Sequence, residues 1–456
     1  MKHILIICNY FAPDNTIAAV RTTKIAKYLV RSGYRVTVIT EKKENAMRDE
    51  LLMRDAAGVN IKYAENSKLF KRLDAEYKKL IKPLKNKRMN NLDNRNRINP
   101  RTGHREFYPF ETAYPFIGSI EYLVMQIKQI DLYKSIKNEL TEKNDYDCIL
   151  TSYGDSFALY AGRRFHKCHK DIRWIFDIRD AVYRYKFTPD YVKLIPLLYE
   201  KYIWKNTDAI VGVSKGICKR VPQRYRNKVY CITNGYDTDD AEALQSNSID
   251  NNKLTFAYTG SMYGGLQNLS FFFRTIRGLI DRNVLDPMKI EFRFAGNDSA
   301  YEIFKSQAQK YELQSLCVSY GKLTREQALQ LQKDSCILLM ASYDYQNNVG
   351  GILTGKLMEY MMMKKPVIAV VTGDIERGEV YRTIKKTGIG EVFEESHKKE
   401  DYVRLSDYIE KQYTKFINDG ELYFNPDYNE LNKYNYRNIT DRIIKIIEKP
   451  TGGRRK

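Results

Sequence analysis

Long apolar stretches and paired cysteine motifs are missing from this sequence of 456 residues. No segment approaches the roughly 18 to 20 uncharged residues that a membrane-spanning helix needs. The apolar run near the N-terminus, Ile4–Cys8, has five residues and is too short for the core of a signal peptide. The seven cysteines form no Cys-x-x-Cys pair and mostly lie in apolar runs, which is typical of reduced, buried thiols in a cytosolic protein. We therefore expect neither secretion nor a membrane-spanning segment.

Metal-binding patterns are equally scarce. The stretch 166–169 (His-Lys-Cys-His) lacks the second ligand pair that a closed tetrahedral zinc site requires. The stretch 237–239 (Asp-Thr-Asp) has the D-x-D form of a metal motif, but it follows a turn, which is typical of acidic loop residues. The sequence predicts no bound metal and no cofactor.

Positive charge is in excess, because 76 Lys and Arg against 56 Asp and Glu give a formal net charge of +20. The excess predicts an anionic partner, such as nucleic acid, an anionic bilayer or a phosphorylated substrate. Half of it lies between Lys68 and Arg105, where thirteen basic residues face three acidic ones. This segment is either a solvated insertion or a patch for an anionic membrane surface or a lipid-linked pyrophosphate. It has no recognisable nucleic-acid-binding motif, so nucleic acid is not the expected partner.

Short apolar runs separated by helix-like segments predict two successive parallel sheets. The first set of strands is predicted at 4–8, 36–40, 59–63, 148–151, 173–177, 209–213 and 228–233. The second set is predicted at 255–259, 290–295, 316–320, 336–341 and 366–370. A crossover helix over 18–33 follows the first strand, and Thr324 with Gln327 forms a predicted capping box. The fold class is therefore α/β, with two doubly wound Rossmann-like domains facing a central cleft.

The same patterns predict the domain bounds. They are 1–236 for the first domain, with a basic insertion at about 68–105, then 237–252 for a linker, 253–430 for the second domain, and 431–456 for a C-terminal helix and basic tail.

Two loops and one helix start combine the residue types that bind phosphate and sugar. The loop 9–16 follows the first strand, and the glycine-rich loop 258–265 opens the second domain, where glycines let backbone amides approach a phosphate. In the segment 350–360, two glycines precede a helix that carries Lys356 and Glu359 three residues apart. A cation and a carboxylate there suit a phosphate and a pair of sugar hydroxyls, although a plain surface ion pair has the same spacing.

In their order and spacing, several segments resemble the GT-B-fold, family-4 retaining glycosyltransferases, which build bacterial surface polysaccharides from nucleotide sugars. The resemblance spans nearly the whole chain and rests on Asn9–Asp14, Ala18–Arg21, Gly33–Val38, Phe176–Asp180, Asp208–Ser214, Thr233–Asp237, Thr354–Tyr360 and Lys365–Pro366.

The resemblance implies a donor nucleotide on the second domain and an acceptor on the first. Glu359 matches the second acid of the family's E-x7-E element, which holds the ribose hydroxyls, whereas Gly351 stands where the first acid is expected. Gln267 and Asn268 stand where a lysine for the diphosphate is expected, so Lys356 is the preferred substitute. The predicted donor-binding residues are Gly260, Ser261, Gly264, Gly351, Lys356, Glu359 and Lys322.

The implied reaction transfers a glycosyl group to an acceptor hydroxyl with retention at the anomeric carbon, and its main requirement is to stabilise the departing diphosphate. The candidates for orienting the acceptor hydroxyl are Asp177, Asp180 and Asp155. A salt bridge of Asp177 or Asp180 with Arg179 or Arg173 is the alternative. The predicted acceptor-side residues are Asp14, Asn15, Arg21 and Tyr153.

We therefore expect a cytoplasmic enzyme, peripheral to the inner face of the plasma membrane, that uses a UDP-sugar or a GDP-sugar. The expected acceptor is a lipid-linked glycan for capsule, O-antigen or exopolysaccharide. Two alternatives stay open. Gly351 in place of an acid suits a non-catalytic partner protein of the same fold, and a nucleotide-sugar epimerase shares that fold as well.

Overall fold

The computed structural model describes residues 1–43, 47–81, 83–84, 115–142, 145–179, 190–245, 252–262, 267–344 and 353–450. Within these residues, no helix is both long enough and apolar enough to cross a bilayer.

The chain divides into two compact units. Unit 1 consists of Met1–Thr233 together with Ile439–Lys456, and unit 2 is Asn234–Asn438. The division falls three residues before the predicted end of the first domain at 236. The predicted linker 237–252 contains the helix Thr238–Glu242, which lies in unit 2, and the C-terminal segment returns to unit 1.

Unit 1 contains a seven-stranded parallel sheet in the order β3-β2-β1-β4-β5-β6-β7. Its strands are β1 His3–Cys8, β2 Arg35–Glu41, β3 Asn60–Ala64, β4 Cys148–Tyr153, β5 Arg173–Ile178, β6 Ala209–Gly212 and β7 Val229–Cys231. The central strands β1, β4 and β5 are buried along their whole length, which explains their continuous apolar sequences.

The helices of unit 1 connect these strands. They are Ile17–Arg31, Glu50–Asp55, Lys68–Leu80, Pro115–Ser135, Ser156–Cys168, Asp190–Asn206 and Lys215–Cys218, and the helix Tyr436–Ile447 leads from the end of unit 2 into unit 1. Of the predicted basic insertion, the structure describes the helix Lys68–Leu80 and residues 81, 83 and 84.

Unit 2 contains a six-stranded parallel sheet in the order β10-β9-β8-β11-β12-β13. Its strands are β8 Leu254–Thr259, β9 Ile290–Ala295, β10 Cys317–Ser319, β11 Ile337–Asp344, β12 Val367–Gly373 and β13 Gly390–Glu394. Its helices are Thr238–Glu242, Ser270–Asp281, Asp298–Gln309, Arg325–Lys333, Gly355–Met363, Glu379–Thr387, Lys398–Asp419 and Tyr428–Asn432. A cluster of fully buried phenylalanines fills one side of the sheet, comprising Phe256, Phe272, Phe273, Phe292 and Phe304.

The structure confirms the prediction of two doubly wound α/β domains and all twelve predicted strands. The predicted crossover helix is present as Ile17–Arg31, and both hydrogen bonds of the capping box at Thr324 and Gln327 are formed. The sequence did not predict β13, Gly390–Glu394.

Candidate functional site

The helix Gly355–Met363 of unit 2 carries the two predicted donor-binding side chains. The Tyr360 hydroxyl anchors it to the sheet by donating a hydrogen bond of 2.9 Å to the carbonyl oxygen of Leu339. The apolar side of the helix is buried and consists of Leu357, Met358 and Met361. Lys356 and Glu359 lie between these positions and stay partly accessible. The periodicity of the helix therefore places a cation and a carboxylate within one turn of each other.

Lys356 ties this helix to the loop that follows β8. Its ammonium donates hydrogen bonds to the Tyr258 hydroxyl (2.7 Å) and to the carbonyl oxygen of Ser261 (2.9 Å). The same ammonium lies 4.2 Å from the centroid of the Tyr258 ring, within cation–π distance. Burial lowers the pKa of Lys356 to about 8, and the Glu359 carboxylate opposes this shift. The cation is thus held in place while its charge is poorly solvated.

Gly260 allows the close approach between this loop and Lys356. Its φ of +104° lies in the left-handed region that favours glycine. A Cβ on this residue would lie 2.8 Å from Cε of Lys356. The Gly260 amide donates to the carbonyl oxygen of Ala295 at 2.7 Å, which fixes the turn after β8. The backbone conformation therefore favours glycine, and a Cβ at this position would displace the end of the Lys356 side chain.

Glu359 lies in a chain of polar contacts. The Gln332 amide donates to the Glu359 carboxylate at 3.2 Å and to the Thr259 hydroxyl at 2.8 Å. The Arg325 guanidinium lies 3.9 Å from Glu359. Burial raises the pKa of the Glu359 carboxyl, and the positive charge of Arg325 opposes that shift. These contacts keep a hydrogen-bond acceptor beside the end of β8.

Sequence reasoning missed three members of this group, namely Tyr258, Arg325 and Gln332. Arg325 also forms an ion pair of 2.7 Å with Asp240. The capping box at Thr324 predicts a helix that begins at Arg325, but it does not indicate which strand end the helix faces. Tyr258 lies inside the glycine-rich segment 258–265, where only the glycines suggested a function.

The remaining predicted donor-side residues have different outcomes. Ser261 contributes its carbonyl oxygen to Lys356. Lys322 lies before the helix Arg325–Lys333, and among the described residues no hydrogen bond or ion pair connects it to Lys356 or Glu359. Gly264 and Gly351 lie outside the described residues.

In unit 1, Asp177 and Arg21 form a buried ion pair. The Arg21 guanidinium donates to both carboxylate oxygens of Asp177, at 2.8 Å and 3.1 Å, and to the carbonyl oxygen of Thr233 at 2.7 Å. The Ser152 hydroxyl donates to the same carboxylate at 2.9 Å. Asp177 and Arg21 are each 1% exposed. Asp177 therefore forms a salt bridge, as the alternative prediction stated. The predicted partners Arg179 and Arg173 are wrong, because the first crossover helix packs against the end of β5 and brings Arg21 to Asp177.

This pairing bears on the predicted roles of both residues. The carboxylate and the guanidinium satisfy each other in the interior, which is the arrangement of a structural ion pair and not of groups that meet an acceptor. Asp180, the other predicted partner of an acceptor hydroxyl, lies outside the described residues.

Two of the predicted residues, Asp14 and Asp155, lie around Tyr10. Asp14 forms an ion pair with Lys43, whose ammonium lies 3.6 Å from the centroid of the Tyr10 ring. Burial raises the pKa of Tyr10 to about 12, and the negative charge of Asp155 adds to that shift. Asp14 and Asp155 therefore lie at neighbouring strand ends, those of β1 and β4, with Tyr10 between them. Tyr10 and Lys43 were not among the predicted site residues.

The other two acceptor-side predictions shape the surrounding backbone. Tyr153 is 4% exposed, and its ring stacks on Phe176 with 6.1 Å between the centroids. The Asn15 amide donates to the carbonyl oxygen of Met47 at 2.8 Å. These residues fix the loop after β1 and the end of β4.

The sequence matches no protein-family model and no curated protein. Among solved structures, it is similar to a sucrose-phosphate synthase from Thermosynechococcus elongatus, with 11% identity, a TM-score of 0.56 and coverage of 98% of each chain. It is also similar to a glycosyltransferase from Rickettsia africae, with 13% identity, a TM-score of 0.52 and coverage of 98% of each chain. A protein assigned as a UDP-N-acetylglucosamine 2-epimerase from Listeria monocytogenes has 11% identity and a TM-score of 0.51, over 98% of this chain and 96% of that one. At these identities the likeness concerns the fold, and the expected two-domain GT-B fold is confirmed.

Proposed function

We propose that this protein is a glycosyltransferase that moves a sugar from a nucleoside diphosphate sugar to an acceptor hydroxyl. The observation that carries the proposal is the pairing of Lys356 and Glu359 on one helix, with Lys356 bound to the glycine loop after β8. This pair offers a cation for the diphosphate and a carboxylate for the ribose hydroxyls. The GT-B fold and the motif resemblance support the same assignment.

In the proposed reaction, Lys356 neutralises the charge that develops on the departing diphosphate. Amides of the Gly260 loop add hydrogen-bond donors, and such preorganised donors act most strongly where water is excluded. The family resemblance favours a UDP-sugar, retention of configuration and no metal ion. No strong general base is needed when leaving-group stabilisation is the main contribution.

The acceptor belongs to unit 1 in this proposal. Asp155 is partly exposed at the end of β4, and Tyr10 and Asp14 lie beside it. These polar groups are the ones we assign to orienting an acceptor hydroxyl. The proposed acceptor is a lipid-linked glycan for capsule, O-antigen or exopolysaccharide, reached at the cytoplasmic face of a membrane.

A thermal-shift titration tests the donor site. Wild type, Glu359→Gln and the control Glu326→Gln are titrated with UDP, GDP, CMP and ADP, with and without EDTA. Glu326 is exposed on the neighbouring helix Arg325–Lys333 and matches the substitution without touching the site. Because a ligand of the native state raises its stability, one nucleoside diphosphate should stabilise wild type and Glu326→Gln equally. Glu359→Gln should need a higher concentration for the same shift, and EDTA should change nothing.

The absence of any shift at millimolar nucleotide would contradict the proposal and favour a non-catalytic partner protein of this fold. The epimerase-like neighbour supports a second candidate, a nucleotide-sugar epimerase. Donor turnover separates the two enzymes. A glycosyltransferase consumes donor and releases nucleotide when acceptor is present, whereas an epimerase converts the donor sugar without acceptor and leaves its bond to the nucleotide in the product.

A further inference from the structure

Three helices of unit 1 present apolar side chains to solvent. On the helix Pro115–Ser135, the exposed residues Phe116, Leu123, Ile127 and Ile130 follow one another at intervals of seven, four and three. At 3.6 residues per turn these intervals place all four on one face. Phe116 is 77% exposed, so the stripe is an outer surface and not the edge of the core.

The two neighbouring helices repeat this arrangement. On Asp190–Asn206, the exposed apolar side chains that the structure describes are Leu194, Leu197 and Leu198, at intervals of three and one, while Ile203 and Trp204 are buried. On Lys68–Leu80, the leucines at 69, 73 and 80 are exposed, whereas Phe70 is buried. Each helix therefore has one apolar face toward the protein and a second one toward solvent.

Hydrogen bonds and ring contacts connect the three helices. Ser67 donates from its amide (2.7 Å) and its hydroxyl (2.9 Å) to Asp131, which joins the start of Lys68–Leu80 to Pro115–Ser135. Tyr160 lies on a fourth helix, Ser156–Cys168, and bridges the other two: its hydroxyl donates to Gln126 of Pro115–Ser135 at 2.9 Å, and its ring lies 5.2 Å from that of Tyr199 on Asp190–Asn206. Pro115–Ser135 also packs directly against both other helices, so the three stripes belong to adjoining helices of unit 1. We call their ten residues the apolar face, namely Leu69, Leu73, Leu80, Phe116, Leu123, Ile127, Ile130, Leu194, Leu197 and Leu198.

Such a surface is unusual for helices that face water. A surface helix normally turns polar residues outward, and a helix that is apolar on all sides is normally covered. Contiguous exposed apolar residues mark an interaction site. We therefore expect the apolar face to be buried against a partner.

Charge identifies the partner. The helix Lys68–Leu80 carries five basic residues and two acidic ones, and the basic side chains at 68, 72 and 79 flank its leucine stripe on the helix surface. Lys134 continues the stripe of Pro115–Ser135, and Lys201 and Lys205 are exposed in the same way on Asp190–Asn206. Apolar stripes bordered by lysines suit the boundary between acyl chains and anionic headgroups, where the ammonium groups reach outward to phosphate.

We propose that the apolar face docks unit 1 on the surface of a bilayer that contains anionic phospholipids. The leucine, isoleucine and phenylalanine side chains enter the boundary between headgroups and acyl chains, and the bordering lysines and arginines contact the phosphates. The proposal rests on the proposed function in one respect, since a lipid-linked acceptor would then be met at the surface where the enzyme is held.

Flotation with vesicles made of equal parts phosphatidylglycerol and phosphatidylcholine tests the apolar contribution. The variant Leu123→Glu/Ile127→Glu should bind these vesicles at least about tenfold more weakly than wild type, because it places charge where acyl chains would lie. The matched control is Val403→Glu/Ile417→Glu, which changes two exposed apolar residues on the helix Lys398–Asp419 of unit 2. The control should bind as wild type does. Equal binding by all three proteins would overturn the proposal.

A second variant tests the electrostatic contribution. Lys68→Gln/Arg72→Gln/Lys79→Gln should weaken binding to the phosphatidylglycerol vesicles, and the difference from wild type should shrink at high salt. Vesicles of phosphatidylcholine alone should bind both proteins weakly and to the same extent. A different result would overturn the bilayer proposal: wild type binds neither vesicle type and sediments as a dimer, whereas Leu123→Glu/Ile127→Glu sediments as a monomer. The apolar face would then be an interface with a second copy of this chain.

Nucleotide binding keeps the two proposals separable. Leu123→Glu/Ile127→Glu alters unit 1, so it should show the wild-type thermal shift with the stabilising nucleotide. A variant that loses vesicle binding but keeps this shift supports the docking surface. Vesicle binding by a wild-type protein that responds to no nucleotide would instead refute the donor site and leave the docking surface supported.

Discussion

Tyr258 holds Lys356 in two ways, because its hydroxyl accepts a hydrogen bond of 2.7 Å from the ammonium while its ring centroid lies 4.2 Å from the same group. A neutral aromatic residue therefore contacts a partly accessible cation through both its hydroxyl and its ring. This environment tolerates the charge without neutralising it, which is what a site awaiting an anion requires.

The lowered pKa of Lys356 predicts a pH dependence of nucleotide binding. Its value of about 8 lies below the ordinary 10.5, so the free site loses its positive charge as the pH rises through about 8. Affinity for the nucleoside diphosphate should then weaken by about tenfold between about pH 7 and about pH 9. Lys356→Arg should remove this dependence, because arginine stays protonated throughout that range.

Calorimetry at about pH 8.5 measures the same linkage directly. A bound diphosphate favours the charged form, so binding should take up a proton, and the observed enthalpy should change with the ionisation enthalpy of the buffer. Enthalpies that are equal in two buffers of different ionisation enthalpy would show that Lys356 does not titrate on binding.

Gly260→Ala should weaken nucleotide binding through Lys356. Alanine at φ of +104° is strained by about 1–2 kcal/mol, and its Cβ would collide with Cε of Lys356, at 2.8 Å. Gly321→Ala is the matched control, since Gly321 has φ of +65° and no heavy atom lies within 4 Å of the position that a Cβ would take. Both variants should unfold at lower denaturant concentration, but only Gly260→Ala should bind nucleotide about tenfold more weakly. Equal nucleotide affinities in the two alanine variants would show that Gly260 does not affect binding through Lys356.

Arg325 should determine, through the pKa of Glu359, the pH below which nucleotide binding weakens. Its positive charge lowers the pKa of that carboxyl against the effect of burial, so Arg325→Gln should raise the pKa. Because the ionised carboxylate is the better acceptor for ribose hydroxyls, the pH below which nucleotide binding weakens should move upward in Arg325→Gln. Binding curves measured from about pH 4 to about pH 7 check this shift. When Arg325→Gln is added to Glu359→Gln, the pH dependence of binding on the acid side should not change. A shift that persists in this double variant would show that another group causes it.

The buried pair of Arg21 and Asp177 predicts a large loss of stability when one partner is removed. Asp177→Asn leaves a buried guanidinium without its counter-charge and should lower the free energy of unfolding by about 3–5 kcal/mol. Glu65→Gln is the control, because its ion pair with Lys42 is exposed and should contribute about 1 kcal/mol or less. Chemical unfolding measures both. A further variant, Arg21→Met/Asp177→Leu, should recover part of the loss, which a simple cavity effect would not produce.

Local sequence patterns were sufficient for most of the fold. The central strands β1, β4, β5, β8 and β12 are buried along their whole length, and burial from both faces of a parallel sheet requires the apolar runs that predicted them. The missed strand β13, Gly390–Glu394, has only two apolar residues among its five and carries Glu391 and Glu394. These acids are paired with basic residues outside the strand, since Lys385 and Arg404 contact Glu391 and Arg377 contacts Glu394. A strand whose charges are neutralised by other elements has no apolar signature of its own.

The site was predictable only where its residues are neighbours in sequence. Lys356 and Glu359 lie on one helix turn and were found by their spacing. Arg325 and Gln332 reach Glu359 from another helix, and no periodicity connects the two segments. For Asp177, the sequence suggests Arg173 and Arg179 as partners because they lie nearby, whereas Arg21 precedes it by 156 residues. Such pairings follow from the order of strands in the sheet, which single-sequence patterns do not contain.

The return of Ile439–Lys456 to unit 1 has a consequence for the synthesis of the chain. Arg173 donates to the carbonyl oxygens of Ile446 and Lys449, and Arg442 donates to that of Cys231. The ribosome must synthesise all of unit 2 before it makes the C-terminal segment. Until then, the surface of unit 1 beside β5 and β7 that binds the C-terminal helix is uncovered. Translation pauses within Asn234–Asn438 would prolong that state, and the bare site is then a natural target for chaperones.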